Sequence, residues 1–375
     1  MEPFIHLHVH TQYSLLDGQA SIDALIDKAQ KDGMNAIAVT DHGNMFGIKE
    51  FFNKVSKKNG KPLGAIKDLE KEQKALKGKE ALSTEEQARL QEIPFLIEAE
   101  KKKIFKPIIG CECYCARNGR HNKTAKEDRS GYHLIILAKN LKGYKNLIKM
   151  VSISWTEGFY GRPRIDHELL EKYHEDLIVC SACLGGEIPQ HIMHDRIDKA
   201  EESILWFKKL FGEDYYLEMQ RHETHDPNAD CTTYPKQQEV NKVLIELARK
   251  HNVKLIATND VHFVNQEDAE AHDRLICLST GKDLDDPTRM RYSKQEWMKT
   301  TAEMNAIFAD IPEALSNTLE IADKVDFYSI DSGPIMPTFA IPEDFGTEES
   351  YREKFSEQDL FEEFTRDENG NVVLS

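Results

Sequence analysis

Nine side chains of metal-binding type recur along the sequence: His8, His10, Asp17, His42, Glu112, His133, Cys183, Asp260 and His262. They mix imidazoles, carboxylates and one thiolate, a donor set that suits Zn²⁺, Mn²⁺ or Fe better than Mg²⁺ or the all-oxygen cage of Ca²⁺. Nine donors exceed one tetrahedral site, so shared carboxylates and a bridging water would complete two or three divalent ions. Such ions lower the pKa of bound water from about 15.7 towards about 7, and pairs roughly 3.5–4 Å apart clamp both oxygens of an in-line displacement. The chemistry this serves is hydrolysis of a phosphate ester, with Asp260, His262 and His42 as the catalytic candidates.

Each motif alone is ordinary. Alternating histidines on a strand can pack, and Asp41-His42-Gly43-Asn44 is plain turn chemistry. Their joint placement at the ends of successive expected strands favours a metal site. His6 shares a face with His8 and His10 but lies deeper, so a supporting hydrogen bond to a ligand is expected rather than ligation. His222, just past a strand, and Arg164 in Gly161-Arg-Pro-Arg-Ile-Asp166 are candidate substrate contacts, with Arg162 a second possible phosphate clamp. Cys111, Cys113 and Cys115 read as packing residues, and His121, His174, His191, His194, His225 and His251 as surface residues. The acidic turn Asp283, Asp285 and Asp286 follows no strand.

Seven strands are expected to carry these groups: Phe4–His10, Ala36–Thr40, Lys106–Tyr114, Leu134–Ala138, Leu177–Ser181, Tyr216–Gln220 and Lys254–Thr258. Helices alternate with most of them, notably Leu141–Ile153, Lys199–Leu210 and Gln237–His251, which argues for α/β with a parallel sheet. Polar residues gather at so many strand ends that a closed, distorted (β/α)7 barrel fits best, placing 1–327 in one domain. One placement is awkward, because His133 precedes its strand instead of following it. Residues 58–103 interrupt the rhythm as an inserted helical hairpin. Gly78 marks its bend, Ser83-Thr-Glu-Glu86 is a capping box, and Lys101, Lys102 and Lys103 are a charge run that is ordinarily just solvated. After helices near Asp268–Thr280, Thr301–Phe308 and Pro312–Val325, a C-terminal extension over 328–375 carries Pro334, Pro337 and Pro342 and a very acidic stretch.

The chain has 375 residues, 40% hydrophobic and 30% charged, with a net charge of −16, so it is no basic nucleic-acid-coating protein. Local patches and bound cations still leave a nucleic-acid enzyme open. No apolar run nears the roughly 20 residues of a membrane span, no signal peptide opens the chain, and seven cysteines make no disulfide scaffold. A cytoplasmic protein with reduced thiols and no membrane contact is expected.

The motifs also resemble a known family. His6-Leu-His-Val-His-Thr-Gln-Tyr-Ser-Leu-Leu-Asp-Gly18 and Thr40-Asp-His-Gly-Asn-Met-Phe-Gly47 are similar to the first two motifs of the PHP domain in bacterial DNA polymerase III α subunits. Pro163-Arg-Ile-Asp166, Ser181-Ala-Cys-Leu-Gly-Gly-Glu-Ile188 and Ala257-Thr-Asn-Asp-Val-His262 resemble later ones in the same order. Leu284-Asp-Asp-Pro287 and Ile311-Pro-Glu-Ala-Leu-Ser-Asn-Thr318 resemble that polymerase more than a free-standing PHP phosphatase. The resemblance implies up to three metal ions on the nine positions above and a metal-dependent 3′→5′ exonuclease acting on the 3′ end of a DNA primer. It further implies a longer DNA-directed DNA polymerase with replisome partners such as a sliding clamp. Residues 328–375 would then be a linker or the truncated start of a palm region, and polymerisation is not expected of these 375 residues alone. Two alternatives compete: a small-molecule phosphatase on the same barrel, and a metal-stabilised, non-catalytic scaffold.

Overall fold

The computed structural model describes residues 1–338 and 346–373. Pro342 and the last two residues lie outside them. Contacts divide the chain into two units, Met1–Ile330 and Asp331–Ser375.

The larger unit opens with α1 (Ile22–Lys31), β1 (Ala36–Val39), α2 (Ile48–Lys58), α3 (Gly60–Lys77), α4 (Thr84–Lys101) and β2 (Lys106–Cys115). It continues through β3 (Tyr132–Ala138), α5 (Leu141–Thr156), β4 (Arg164–Ile165), α6 (His167–Tyr173), β5 (Leu177–Cys180), α7 (Glu187–Met193) and α8 (Ile197–Phe211). It closes with β6 (Tyr215–Met219), α9 (Thr233–His251), β7 (Lys254–Ala257), α10 (Ala269–Thr280), α11 (Thr301–Ile307) and α12 (Glu313–Lys324). The smaller unit holds α13 (Glu348–Lys354) and α14 (Glu357–Thr365), followed by a bridge between Arg366 and Val372.

The expected α/β architecture is borne out. The sheet runs β1-β2-β3-β5-β6-β7, with β4 beside β2. Ala36–Val39 and Leu177–Cys180 are uninterrupted apolar runs, buried along their whole length because both faces are covered. The sheet curls so that Phe4–His10 spans its two ends. Ala38 donates to the His6 carbonyl on one side, while His10 N–H reaches the Val261 carbonyl at 2.7 Å on the other. This segment is not the regular strand expected, since Val9 N–H bonds the Thr40 hydroxyl (2.9 Å) in place of a carbonyl and so breaks the ladder.

A second departure concerns direction. β3 pairs antiparallel with both β2 and β5, so the sheet is not wholly parallel as expected. Its connection to β2 contains no crossover helix, only a loop with one turn of 3₁₀ helix at Lys126–Arg129, whereas a parallel return is usually carried by an α-helix. The two-residue β4 was likewise not foreseen.

The inserted segment is the expected hairpin, formed by α3 and α4. Ser83 and Glu86 form the capping box that opens α4, and Arg89 forks onto Glu72 across the pair at 2.8 and 3.1 Å. Its two feet are clamped by one buried side chain: Asn59 accepts from Phe105 N–H (2.9 Å) and donates to the Phe105 carbonyl (2.7 Å). Among the described residues no helix is long and apolar enough to cross a membrane.

Candidate metal centre

The curled sheet delivers all nine ligand-type residues to one end of the larger unit. Glu112, in β2 and 1% exposed, lies at the centre. His133 Nδ1 reaches its Oε1 at 2.8 Å, His8 Nε2 at 3.3 Å, and His42 meets its Oε2. Asp260 Oδ1 lies 3.0 Å from His8 Nε2 and 3.2 Å from His10 Nε2. Asp17 Oδ2 is 2.9 Å from His42 Nε2 and 3.7 Å from His262 Nε2. Cys183 Sγ completes the ring, 3.5 Å from His133 Nδ1. Three overlapping groups have the separation a metal ion needs: His8, His10 and Glu112; His42, Glu112 and His133; His10, His42 and His262.

Four buried atoms in this cluster, His42 Nδ1, Glu112 Oε2, Asp260 Oδ1 and His262 Nε2, make no well-aligned hydrogen bond, although His42 Nδ1 abuts Glu112 Oε2 and Asp260 Oδ1 lies 3.0 and 3.2 Å from the Nε2 atoms of His8 and His10. Buried polar atoms are rarely left this way, and a shared cation would satisfy all four. Protonation in the cluster is that of a buried ion-pair network, in which, against burial, Glu112 raises His42 and Asp17 raises His262 to about 9, while burial raises the Cys183 thiol. Burial would raise the carboxyls of Glu112 and Asp260, but the imidazoles around them hold both well below the usual range. Burial, with His42 and His262 nearby, pushes His10 down to about 3 and leaves it neutral. Burial opposes the charged form of His8 as well, yet Asp260, Glu218 and Glu112 raise it well above its ordinary value. A metal would displace that proton.

The backbone around the cluster is strained. Leu16, Ala182 and Asp260 adopt positive φ (59°, 61° and 48°), each at or beside a ligand-type residue, a conformation that costs a non-glycine side chain of order 1–3 kcal/mol. Gly185 passes so close to His133 that an added Cβ would sit 2.9 Å from its ring.

The PHP domain family model matches residues 6–67 and 63–222. The chain belongs to the PHP domain family. It is 43% identical over 362 residues to the DNA polymerase III subunit alpha of Borreliella burgdorferi, covering 95% of the chain and 27% of that protein. Proteins of the same description from Treponema pallidum (34%) and Aquifex aeolicus (36%) cover 96% and 93% of it and 26% and 27% of themselves. The chain thus spans about a quarter of the length of these relatives.

Within this PHP domain the antiparallel β3 removes the awkwardness over His133. Because β3 runs against its neighbours, its first residues lie at the end where the other strands finish, and His133 pairs with Tyr114 near the end of β2.

Two expectations are corrected. Arg164 is no substrate contact: its buried guanidinium donates to the carbonyls of Gly158, Asn122, Asp128 and Arg120, bracing the loops around β4. Arg162, two residues earlier, does line the cleft above the cluster. His6 supports no ligand, since its Nε2 bonds the Lys299 carbonyl at 2.7 Å.

The supporting contacts come from residues the motifs did not reveal. Glu218 takes His8 Nδ1 at 2.6 Å, Ser14 takes His10 Nδ1 at 2.9 Å, and the Tyr292 hydroxyl donates to Asp17 at 2.9 Å. Glu218 had a signal in the sequence, as the one charge within the apolar strand β6. His222 lines the cleft, but its ring already engages Gln237 and the Asn259 carbonyl. Cys111, Cys113 and Cys115 are buried in the core, as packing residues would be. Of the histidines expected at the surface, His121, His194 and His225 are exposed, whereas His174, His191 and His251 are partly buried.

Proposed function

We propose that this PHP domain is a metal-dependent phosphodiesterase that removes nucleotides from the 3′ end of a DNA primer, as the proofreading part of a replicative polymerase. The observation that carries the reading is the convergence of nine ligand-type residues around Glu112, in and beneath an open cleft of about 400 Å³. Bound divalent ions, two or three of Zn²⁺, Mn²⁺ or Fe and less suitably Mg²⁺, would supply hydroxide near neutral pH and neutralise phosphate charge. His8, His10, Asp17, His42, Glu112, His133, Cys183, Asp260 and His262 would hold them.

The chain's own residues prepare this task. The Ser14 hydroxyl gives its proton to Asp41 (2.9 Å), so it accepts from His10 Nδ1–H and leaves the His10 Nε2 lone pair facing the centre. Glu218 does the same for His8, and the Asp260 carbonyl, 2.8 Å from His262 Nδ1, does so for His262. Asp260, His262 and His42, the catalytic candidates, line the cleft itself, whereas His8, His10 and Glu112 lie beneath it. Arg162 and Arg291 stand in the cleft wall as phosphate partners, and the buried Nε of Arg291 has no other partner.

The relatives' description as DNA polymerase III subunit alpha supports DNA as the substrate and a larger polymerase as the context. In that context 328–375 leads towards a palm region, the sliding clamp and other replisome subunits are partners, and the protein is cytoplasmic. The test is a 3′-mismatched primer–template incubated with the chain and Mn²⁺ or Zn²⁺, beside Asp260→Asn. Stepwise loss of 3′ nucleotides by the unsubstituted chain alone is expected. A metal-saturated protein inert towards every phosphate ester would favour the scaffold instead, and turnover of a phosphomonoester but not DNA would favour the small-molecule phosphatase.

A further inference from the structure

Beside the metal centre a second groove of about 390 Å³ runs along the surface, and Asp17, His42, Tyr114 and Arg162 line both. Its floor carries three large aromatic side chains that a soluble surface would ordinarily hide: Phe46 (57% exposed), Trp155 (42%) and Phe159 (46%). They form a row. Trp155 and Phe159 stack with centroids 5.6 Å apart and planes 17° off parallel, and Phe46 follows at 6.1 Å from Trp155. The row is fixed in place, since the Trp155 indole donates to the Gly43 carbonyl at 2.8 Å, one residue from His42. Gly161, at φ +75°, turns the chain after Phe159 and brings Arg162 to the junction of the two grooves.

Exposed π faces beside a guanidinium and a phosphate-binding centre are the arrangement that holds unpaired bases, where rings stack and a cation tracks the backbone. A duplex cannot use it, because its bases already stack on one another. The groove walls are mixed, with Leu15, Ile276 and Met290 beside Asn44, Ser279 and Thr280, and the Arg162 guanidinium favours a phosphate-bearing strand over an apolar protein partner.

We infer that Phe46, Trp155 and Phe159 form a shelf on which the last unpaired nucleotides of a single-stranded DNA 3′ end stack, with Arg162 at the phosphate entering the metal centre. The inference rests on the phosphodiesterase reading and adds a selectivity to it. Frayed, mismatched ends reach the shelf, while paired ends must melt first.

The test uses the protein at its full natural length and an oligo(dT) whose 3′ residue is 5-iododeoxyuridine, which photocrosslinks to stacked aromatic rings. A crosslink within the peptides bearing Phe46, Trp155 or Phe159 is expected. Phe46→Leu/Phe159→Leu, which keeps apolar bulk but removes two π faces, should lower its yield about tenfold at an unchanged melting temperature. Absence of any crosslink in these peptides, or equal yield in the double variant, overturns the shelf. A shelf crosslink without 3′ trimming sinks the cleavage reading alone, and trimming without the crosslink sinks the shelf alone.

Discussion

At the scale of single residues, two arginines in one tripeptide show how little a motif says about where a side chain points. Arg162 and Arg164 flank Pro163, yet one lines the cleft and the other braces four carbonyls inside the protein. Arg164→Met should therefore destabilise the fold by about 2–4 kcal/mol in urea unfolding, because buried acceptors lose their donor. Arg162→Met should leave stability nearly untouched and weaken oligonucleotide binding. Glu218→Gln tests the support of His8. It should lower affinity for added Zn²⁺ or Mn²⁺ by roughly 10–100-fold in calorimetric titration with little change in fold. The ligand types could be read from the sequence because imidazole and carboxylate residues stand out at strand ends. Ser14, Tyr292 and Arg291 could not, being common residues in loops whose role depends on contacts between distant segments.

Among the elements, helices were the most legible. The capping box at Ser83 and the apolar stripe Ile22, Leu25, Ile26 and Ala29 of α1 are local signals that the structure reproduces. Strand direction is decided elsewhere. Nothing within Tyr132–Ala138 says which way it runs, and the one hint to the antiparallel pairing is the helix-free connection before it. The hairpin of α3 and α4 stands apart in another sense, since Asn59 and Phe105 already hold its feet together. Replacing residues 60–104 with a short glycine linker should leave metal binding and the cooperative melt of the barrel in place. Asn59→Ala in the intact chain should cost about 2 kcal/mol by leaving both Phe105 backbone groups unpaired, measured by chemical denaturation.

For the whole molecule, the proposed metal centre and one buried lysine make stability predictions of their own. If the cluster holds metals as proposed, chelation should lower the melting temperature, and metal at a hundredfold excess over its Kd should restore about 2.7 kcal/mol. A second dependence comes from Lys299, whose buried ammonium lies 3.5 Å over the Trp297 ring. Burial holds it down at about 7, against the pull of Glu296 and Glu303. Below that value both folded and unfolded chains carry the proton. Above it and up to the ordinary lysine range only the unfolded chain does, so stability should rise with pH, by at most about 1.4 kcal/mol per unit. Lys299→Met should flatten that rise in urea midpoints taken between pH 7 and 9.5. The closing of the sheet by Phe4–His10 also bears on how the protein is made. His8 and His10 leave the ribosome long before their partners around Val261, which follow only after β7 has been synthesised. A nascent chain can therefore hold a metal only weakly until Asp260 and His262 have emerged. On the proposed metal reading, loading the centre seals a finished barrel, and a chain cut short before residue 260 carries His8 and His10 without the partners that complete their cluster.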